Sequence, residues 1–205
     1  MKRLLFSLFF SLLYILTTGI PATEASVLIR EQDSGHHVKK VQEQLGQMGY
    51  LHTTPTGKYG TVTQNAVEQF QRDTNLIADG IIGPNTYRQL QNVEKMARVV
   101  NGEARGELYE GQVAVAAVIL NRIETPGFPK TVSGVITQTN AFTCLSDGQY
   151  NLKPNYTAYR AVIDAFKGWD PSSGAVYYYN PLHATSDWIF TRSTIKRIGN
   201  HLFAS

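Results

Sequence analysis

The sequence predicts a mainly α-helical protein with a small β region, in the α+β class. Apolar residues recur at helical spacing in two separate stretches, 38–48 and 93–100. Residues 113–120 are apolar throughout, which is typical of a helix buried on most of its sides. Aromatic and β-branched residues, which favour strands, are concentrated late in the chain, at 174–179 and 187–191. We therefore expect helices first and a small sheet near the carboxyl end.

The amino terminus has the pattern of an export signal. Lys2 and Arg3 precede an apolar run over residues 4–16, and small residues lead to a cleavage site before Ser26. A retained membrane anchor is the alternative, but the run is short of the ~20 residues that a span needs. We expect residues 1–25 to be a cleaved signal peptide. The rest of the chain would then be secreted, without stable membrane association.

The first module is expected at residues 33–91 and contains three short helices. Helical spacing over 38–48 ends at Gly49. Residues 61–64 have the form of a capping box that opens a second helix. Pro84 then starts a third helix, at a position where its missing N–H does no harm. Such a small bundle offers no obvious catalytic group.

The motifs of this module carry a specific resemblance. The strings "AVEQFQ", "DG" and "GPNTY" follow one another in the order found in a three-helix peptidoglycan-binding domain, which occurs at the ends of many wall hydrolases. The resemblance covers nearly the whole module. It implies a part that holds an enzyme on peptidoglycan and performs no chemistry. A helical spacer is the alternative.

The second module is expected at residues 92–205, and its first helix places one carboxylate unusually. Met96 and Val100 belong to an apolar stripe at helical spacing. At ~100° per residue, Glu103 projects onto the same stripe, whereas Glu94 projects to the solvent side. A carboxylate on an apolar face is partly desolvated, which favours the protonated form that a general acid needs. Glu103 is therefore the candidate catalytic acid.

Other interpretations of Glu103 remain open from the residues alone. The side chain could form a structural ion pair with Arg105 or Arg122. Glu107 lies four residues further on and still near the same face, so it is the nearest competitor for the catalytic role. Glu110 lies in the polar approach to the next helix and is a weaker candidate.

Two further helices are expected in this module. Residues 111–121 predict a buried helix, with Gln112 at its start, where a polar group can reach a cleft. Residues 157–167 predict another, which ends at Gly168.

The second module resembles the catalytic domain of the spore cortex-lytic enzyme family. The strings "NGEARGE", "FPKTVSGVI", "AFTCLSDGQ", "GWDPSSGAVYYYNP" and "IGNHLF" occur in order and span most of the module. That family is similar in fold to goose-type lysozymes and lytic transglycosylases. The resemblance implies cleavage of the MurNAc–GlcNAc backbone of peptidoglycan, in cell wall or spore cortex, during germination or sporulation. It also implies that Glu103, in "GEARGE", is the catalytic acid.

The type of reaction depends on how many carboxylates take part. Hydrolysis needs a second one, for which Asp147, Asp170 and Asp187 are candidates. A lytic transglycosylase needs only one, and the resemblance favours this chemistry, which leaves 1,6-anhydromuramic ends. The rivals are a hydrolytic muramidase, a zinc-dependent amidase and a non-catalytic wall-binding protein. The five histidines are scattered without a metal-binding motif, so we expect no metal site.

Several side chains are candidates for sugar binding. The fold resemblance implies a tyrosine–asparagine pair near the acid, for which Tyr179 and Asn180 fit best. Phe142 is a candidate for stacking on a sugar face, and Gln112 for reaching the cleft. The single cysteine, Cys144, is interpreted as a small buried residue rather than a nucleophile.

Charge and the junction between the modules complete the expectations. The formal net charge is only +3 and is scattered along the 205-residue chain, so we expect no nucleic-acid partner. We also expect a monomer without a cofactor. Residues 84–101 predict an almost continuous helix, whereas germination enzymes of the family usually have a long polar linker before the catalytic domain. We therefore expect two modules that move little relative to each other.

Overall fold

The structure, a computed structural model, describes residues 28–205. The predicted signal peptide and its cleavage site lie outside these residues. Within the described range there are seven α-helices and three β-strands: α1 His36–Gln47, α2 Thr61–Asp73, α3 Pro84–Ala104, α4 Tyr109–Glu124, α5 Val132–Ile136, α6 Tyr156–Phe166, β1 Tyr177–Tyr179, α7 Asp187–Phe190, β2 Thr194–Ile198 and β3 His201–Ala204. None of these helices is both long and apolar enough to cross a bilayer. The mainly helical α+β class predicted from the sequence is confirmed.

Two buried glutamines hold the loops of the first module in place. The Gln42 amide donates to the Lys58 carbonyl at 3.0 Å and accepts from the Gly57 N–H at 2.8 Å. The Gln71 amide donates to the Ile81 carbonyl at 2.9 Å and accepts from the Gly80 N–H at 2.9 Å. Because buried backbone groups need partners, these amides stabilise loops that have little regular structure of their own.

The second helix begins differently from the prediction. The capping box expected at residues 61–64 is absent: the residue before the helix is Gly60, and no side chain caps the first turn. Thr63 is instead buried and accepts a hydrogen bond from the Gln42 amide at 2.8 Å. The Gln64 amide donates to Glu68 at 3.2 Å and so does not reach back to the helix start. Tertiary hydrogen bonding has replaced the local motif.

Helix α3 is shared by both modules. It runs without a break through residues 91 and 92, where the sequence places the module boundary, so the junction is helical as predicted. The boundary itself stays a prediction. Hydrogen bonds between the modules support the same geometry: the Asn75 amide donates to the Phe166 carbonyl at 2.8 Å, and the Tyr159 hydroxyl lies 3.2 Å from the Gln47 side-chain oxygen.

Helix α4 is the core of the second module. Its residues 113–119 are at most 2% exposed, as the apolar run predicted, and it packs against α3 and α6. Helix α6, at Tyr156–Phe166, lies within one residue of the prediction.

The strands form one antiparallel sheet with the order β1–β3–β2. The strand expected at residues 187–191 is instead the short helix α7. Its aromatic residues Trp188 and Phe190 are half-exposed and pack on the rings of Tyr177 and Tyr179. Their aromatic character therefore reflects packing onto a sheet rather than membership of one.

Candidate active site

Glu103 lies in the last turn of α3, where a short 3₁₀ turn at Thr143–Leu145 meets the helix. One carboxylate oxygen accepts a hydrogen bond from the Cys144 backbone N–H at 2.7 Å. The Thr143 hydroxyl lies 3.1 and 3.2 Å from the two oxygens and donates to this carboxylate. The side chain is half-buried. The carboxylate that projected onto the apolar stripe is thus held by polar donors from another element.

The close approach of this turn depends on Gly102. A Cβ atom at this position would lie 2.5 Å from the Cys144 Cβ and 3.2 Å from its sulfur. Real Cβ atoms do not approach one another so closely, so a side chain here would push the turn away from α3. Gly102 therefore allows the donors of Thr143 and Cys144 to reach Glu103.

Tyr178 lies next to Glu103 on the buried face of the sheet. Burial, and then the nearby Glu103 carboxylate, raise the Tyr178 pKa well above its ordinary value. Its hydroxyl oxygen is buried and has no hydrogen bond of normal geometry to any described residue. The ring is fixed by an edge-on contact with His201 at 5.4 Å and a tilted contact with Phe203 at 5.9 Å between centroids. Tyr178 is thus a neutral hydroxyl held beside the acid.

The tyrosine beside Glu103 is Tyr178, whereas the sequence pointed to Tyr179. Alternation along β1 places Tyr177 and Tyr179 on the face opposite to Tyr178, and the Tyr179 ring packs edge-on against Phe190 at 5.5 Å. The predicted partner Asn180 uses its side-chain oxygen to accept from the Leu182 N–H at 3.0 Å, which shapes a turn. The alternation along β1 predicts that Tyr178 faces away from Tyr177 and Tyr179, but it does not predict which face is turned toward Glu103.

Phe142 and Gln112 are also placed differently from the expectation. Phe142 is 5% exposed, and its ring packs against the Arg122 guanidinium at 5.2 Å, so no open face is left for a sugar. Gln112 is likewise 5% exposed, and its amide donates to the Glu107 carbonyl at 3.2 Å. Both side chains support the site from within the core.

Glu107 has a structural environment. Its oxygens accept from the Asn200 backbone N–H at 3.1 Å and from the Asn200 amide at 2.9 Å, and His201 Nδ1 lies 3.9 Å away. Burial by itself would raise the Glu107 pKa, but the Asn200 hydrogen bonds and His201 lower it below its ordinary value. The β2–β3 turn is thereby bound to the α3–α4 junction. Like Glu103, Glu107 accepts from one backbone N–H and one side-chain donor, but its donor residue lies in the β2–β3 turn and His201 lies beside it.

The three aspartates proposed as a second carboxylate differ in their surroundings. Burial by itself would raise the Asp170 pKa, but hydrogen bonds from Ser172, Asn121 and the Gly174 N–H lower it below its ordinary value. Asp187 begins α7. Asp147 is fully exposed and follows the turn that holds Glu103, and hydrogen bonds from Gln149 lower its pKa. Of the three, Asp147 is the one in the loop that contacts Glu103.

Cys144 is completely buried. Burial, followed by the negative charge of Glu103, raises the pKa of its thiol far above the usual range, so the thiol stays protonated. A protonated, inaccessible thiol is a poor nucleophile, in agreement with its interpretation as a packing residue. Among residues 28–205, no group of three or more histidine, cysteine or acidic side chains could hold a metal ion.

Comparison with known proteins identifies both modules. Residues 34–90 match the family "Putative peptidoglycan binding domain", and residues 106–204 match the family "Cell Wall Hydrolase". Glu103 lies three residues before the second match. A spore cortex-lytic enzyme of Bacillus cereus is 51% identical over 151 residues, which are 74% of this chain and 55% of the relative. Another from Oceanobacillus iheyensis is 59% identical over 120 residues, which are 58% of this chain and 43% of the relative.

Two solved structures are similar to the second module. The catalytic domain of the germination-specific lytic transglycosylase SleB from Bacillus anthracis is 58% identical, with a TM-score of 0.54, over 56% of this chain and 93% of that one. The catalytic domain of the Bacillus cereus SleB protein is also 58% identical, with a TM-score of 0.53, over 56% and 89%. The chain spans about half the length of the curated relatives that it matches. It therefore belongs to the cell wall hydrolase family, with a peptidoglycan-binding domain before the hydrolase domain.

Proposed function

We propose that this protein cleaves the MurNAc–GlcNAc backbone of peptidoglycan as a lytic transglycosylase, with Glu103 as its single catalytic acid and base. The observation that carries the proposal is the setting of Glu103. Its half-buried carboxylate is held by donors from Thr143 and Cys144 beside the neutral hydroxyl of Tyr178. The neighbouring Glu107 instead accepts hydrogen bonds from Asn200 and lies 3.9 Å from His201 Nδ1.

One carboxyl group is sufficient for both halves of this reaction. Glu103 in its acid form donates a proton to the glycosidic oxygen, and the bond between that oxygen and C1 of the muramic acid breaks. The resulting carboxylate then accepts the proton of the C6 hydroxyl of the same sugar. The C6 oxygen bonds to C1 and closes a 1,6-anhydro ring, so Glu103 regains its proton and no water is consumed.

The surrounding side chains support this cycle by fixing the carboxyl group. Donors from a turn and a backbone N–H restrict the orientation of Glu103, and such positioning contributes much of an enzyme's rate. Tyr178 cannot act as a base because its raised pKa keeps it protonated. Its hydroxyl can donate to an oxygen of the sugar or of Glu103 during the reaction.

The substrate proposal rests on both modules. The relatives are named spore cortex-lytic enzymes, and the first module matches a peptidoglycan-binding family. We infer that the protein acts outside the cytoplasm on cell wall or spore cortex, during germination or sporulation.

Hydrolysis is a second candidate, favoured by one observation. Asp147 is exposed in the loop that contacts Glu103, and its lowered pKa keeps it ionised. If substrate brings a water molecule between the two carboxylates, Asp147 could act as the base that an inverting glycosidase needs.

Product analysis distinguishes the two reactions. Purified peptidoglycan is digested and the fragments are identified by mass spectrometry. We expect 1,6-anhydromuramic ends and an Asp147→Asn variant that keeps most of its activity. Reducing ends, together with loss of activity in Asp147→Asn, would instead establish hydrolysis. Glu103→Gln should lose about 10²- to 10⁴-fold in rate under either mechanism, since both need its proton.

A further inference from the structure

A groove of about 940 Å³ lies between the two modules, on the amino-terminal half of α3. Helix α1 forms one wall, and the end of α4 with the following loop to α5 forms the other. The partly buried side chains Leu120, Ile123 and Phe166 contribute apolar surface. Its volume is in the range of pockets that bind small ligands or peptide segments. We call it the junction groove.

The charge of the junction groove is strongly one-sided. Four cationic side chains line it, against one acidic side chain; the cations are Lys40, Arg88, Lys95 and Lys130, and the acid is Glu124. This is a formal excess of +3, as large as that of the whole 205-residue chain. Charges of one sign that line a cleft raise the local concentration of oppositely charged ligands. The groove is therefore suited to an anion.

The cations of the groove are not neutralised by carboxylates of the described residues. Lys95 donates to the Ser133 hydroxyl at 2.7 Å, and Lys130 donates to the Ile123 and Thr125 carbonyls at 2.8 Å. These neutral partners hold the ammonium groups in place without cancelling their charge. Arg88 and Lys40 are exposed and belong to no ion pair within residues 28–205.

Helix α3 connects this groove to Glu103. Arg88 and Lys95 are seven residues apart and therefore project within ~20° of each other on the helix. Glu103 is eight residues beyond Lys95, which places it ~12 Å further along the axis and ~80° around it. A ligand held in the groove thus lies on the same helix as the candidate acid, nearly a quarter turn around its axis.

We propose that the junction groove binds the stem peptides of peptidoglycan through their carboxylates. This inference rests on the proposed function, because the ligand is part of the same polymer. Stem peptides combine free carboxylates with alanine methyl groups, which matches a cationic rim over partly apolar walls. Residues from both modules line the groove, so binding there involves the two modules together.

Binding is measured in the Glu103→Gln background, which prevents turnover. The probes are soluble glycan strands that bear stem peptides and the same strands after an amidase has removed the peptides. The test variant is Lys40→Glu with Arg88→Glu. Its control is Lys39→Glu with Lys153→Glu, which changes the net charge equally at exposed positions outside the groove.

We expect the Lys40→Glu, Arg88→Glu variant to bind peptide-bearing strands about tenfold more weakly, since each exposed ion pair contributes up to a few-fold in affinity. The control should bind like the parent protein. Stripped strands keep only the lactyl carboxylate that the amidase frees on each muramic acid, close to the sugar ring, so they should distinguish the three proteins much less. Equal binding of peptide-bearing strands by all three proteins would overturn the proposal. The proposal would also be overturned if the variant bound intact sacculi more weakly only while teichoic acid phosphates were present. Formation of a dimer through the groove would overturn it as well.

These results separate the groove from the proposed function. Charge-dependent peptide binding by a protein that releases no glycan fragments would support the groove and contradict the proposed reaction. Normal glycan cleavage by a protein whose binding does not depend on the stem peptides would support the proposed reaction and contradict the proposal for the groove.

Discussion

Replacing Glu107 by glutamine tests our proposal that Glu107 is structural and that Glu103 is the catalytic acid. Glu107 accepts two hydrogen bonds from Asn200, at 3.1 and 2.9 Å, and lies 3.9 Å from His201 Nδ1. Hydrogen bonds to a charged group contribute about 1.5–3 kcal/mol each. Glutamine keeps one acceptor oxygen but turns an NH₂ group toward a donor. We expect the free energy of unfolding to fall by about 2–3 kcal/mol, which lowers the melting temperature by about 4–12 °C at this chain length.

Thermal unfolding and rate measurements on the same preparations provide the assay. Glu107→Gln should melt earlier and yet cleave peptidoglycan at a rate within about threefold of the parent at a temperature where both are folded. Glu103→Gln should show the reverse. Its amide oxygen can still accept from the Cys144 N–H, and the Thr143 hydroxyl can turn to accept from the new NH₂ group, so the melting temperature should be almost unchanged. The rate should fall by about 10²-fold or more. If Glu107→Gln kept its melting temperature but lost activity a hundredfold, our assignment of the two glutamates would be wrong.

Three further predictions concern the surroundings of the site and the junction between the modules. Gly102→Ala should lower activity about tenfold or more, measured as the rate per folded molecule. The reason is that the new Cβ would lie 2.5 Å from the Cys144 Cβ and displace the donors to Glu103. A fully active variant would show that the Thr143–Leu145 turn is not needed in this position. Burial lowers the His201 pKa below its ordinary 6.5, although Glu107 and Glu103 oppose this. The unfolded chain therefore takes up a proton at a higher pH than the folded protein does. The contribution to stability should be full above pH ~6.5 and should fall as the pH drops below that value. Melting curves between pH 5 and 8 should show this slope, and His201→Gln should flatten it. Small-angle scattering should fit a single compact arrangement of the two modules, since α3 is continuous across the boundary; a broad range of intermodule distances would contradict it.

Much of the fold was predictable because local pattern and burial agree. The apolar run of α4 matches its complete burial, and the stripe of Met96 and Val100 faces the core. Prediction failed where contacts between distant residues determine the local structure. Thr63 bonds to Gln42 rather than capping its helix, and the aromatic residues of α7 cover a sheet without joining it.

The candidate site was predictable only in its central residue. Helical projection found Glu103, because its helix neighbours are apolar. Its donors lie 40 and 41 residues away, at Thr143 and Cys144, and no local pattern links them to it. The tyrosine beside Glu103 is Tyr178 rather than Tyr179, since the face of β1 that turns toward Glu103 is set by the packing of the sheet. The contact of Glu107 with Asn200 spans 93 residues and likewise had no sequence signal.

The continuity of α3 restricts how the length of this protein can change. The helix has 21 residues and is therefore about 31 Å long. One residue inserted near Leu90 would turn the first module by ~100° about the axis and move it by ~1.5 Å. That rotation would break the contacts of Asn75 with Phe166 and of Tyr159 with Gln47. A disordered connection tolerates such insertions. In this protein, only an insertion of about one or two full helical turns would keep the two modules near their present relative rotation.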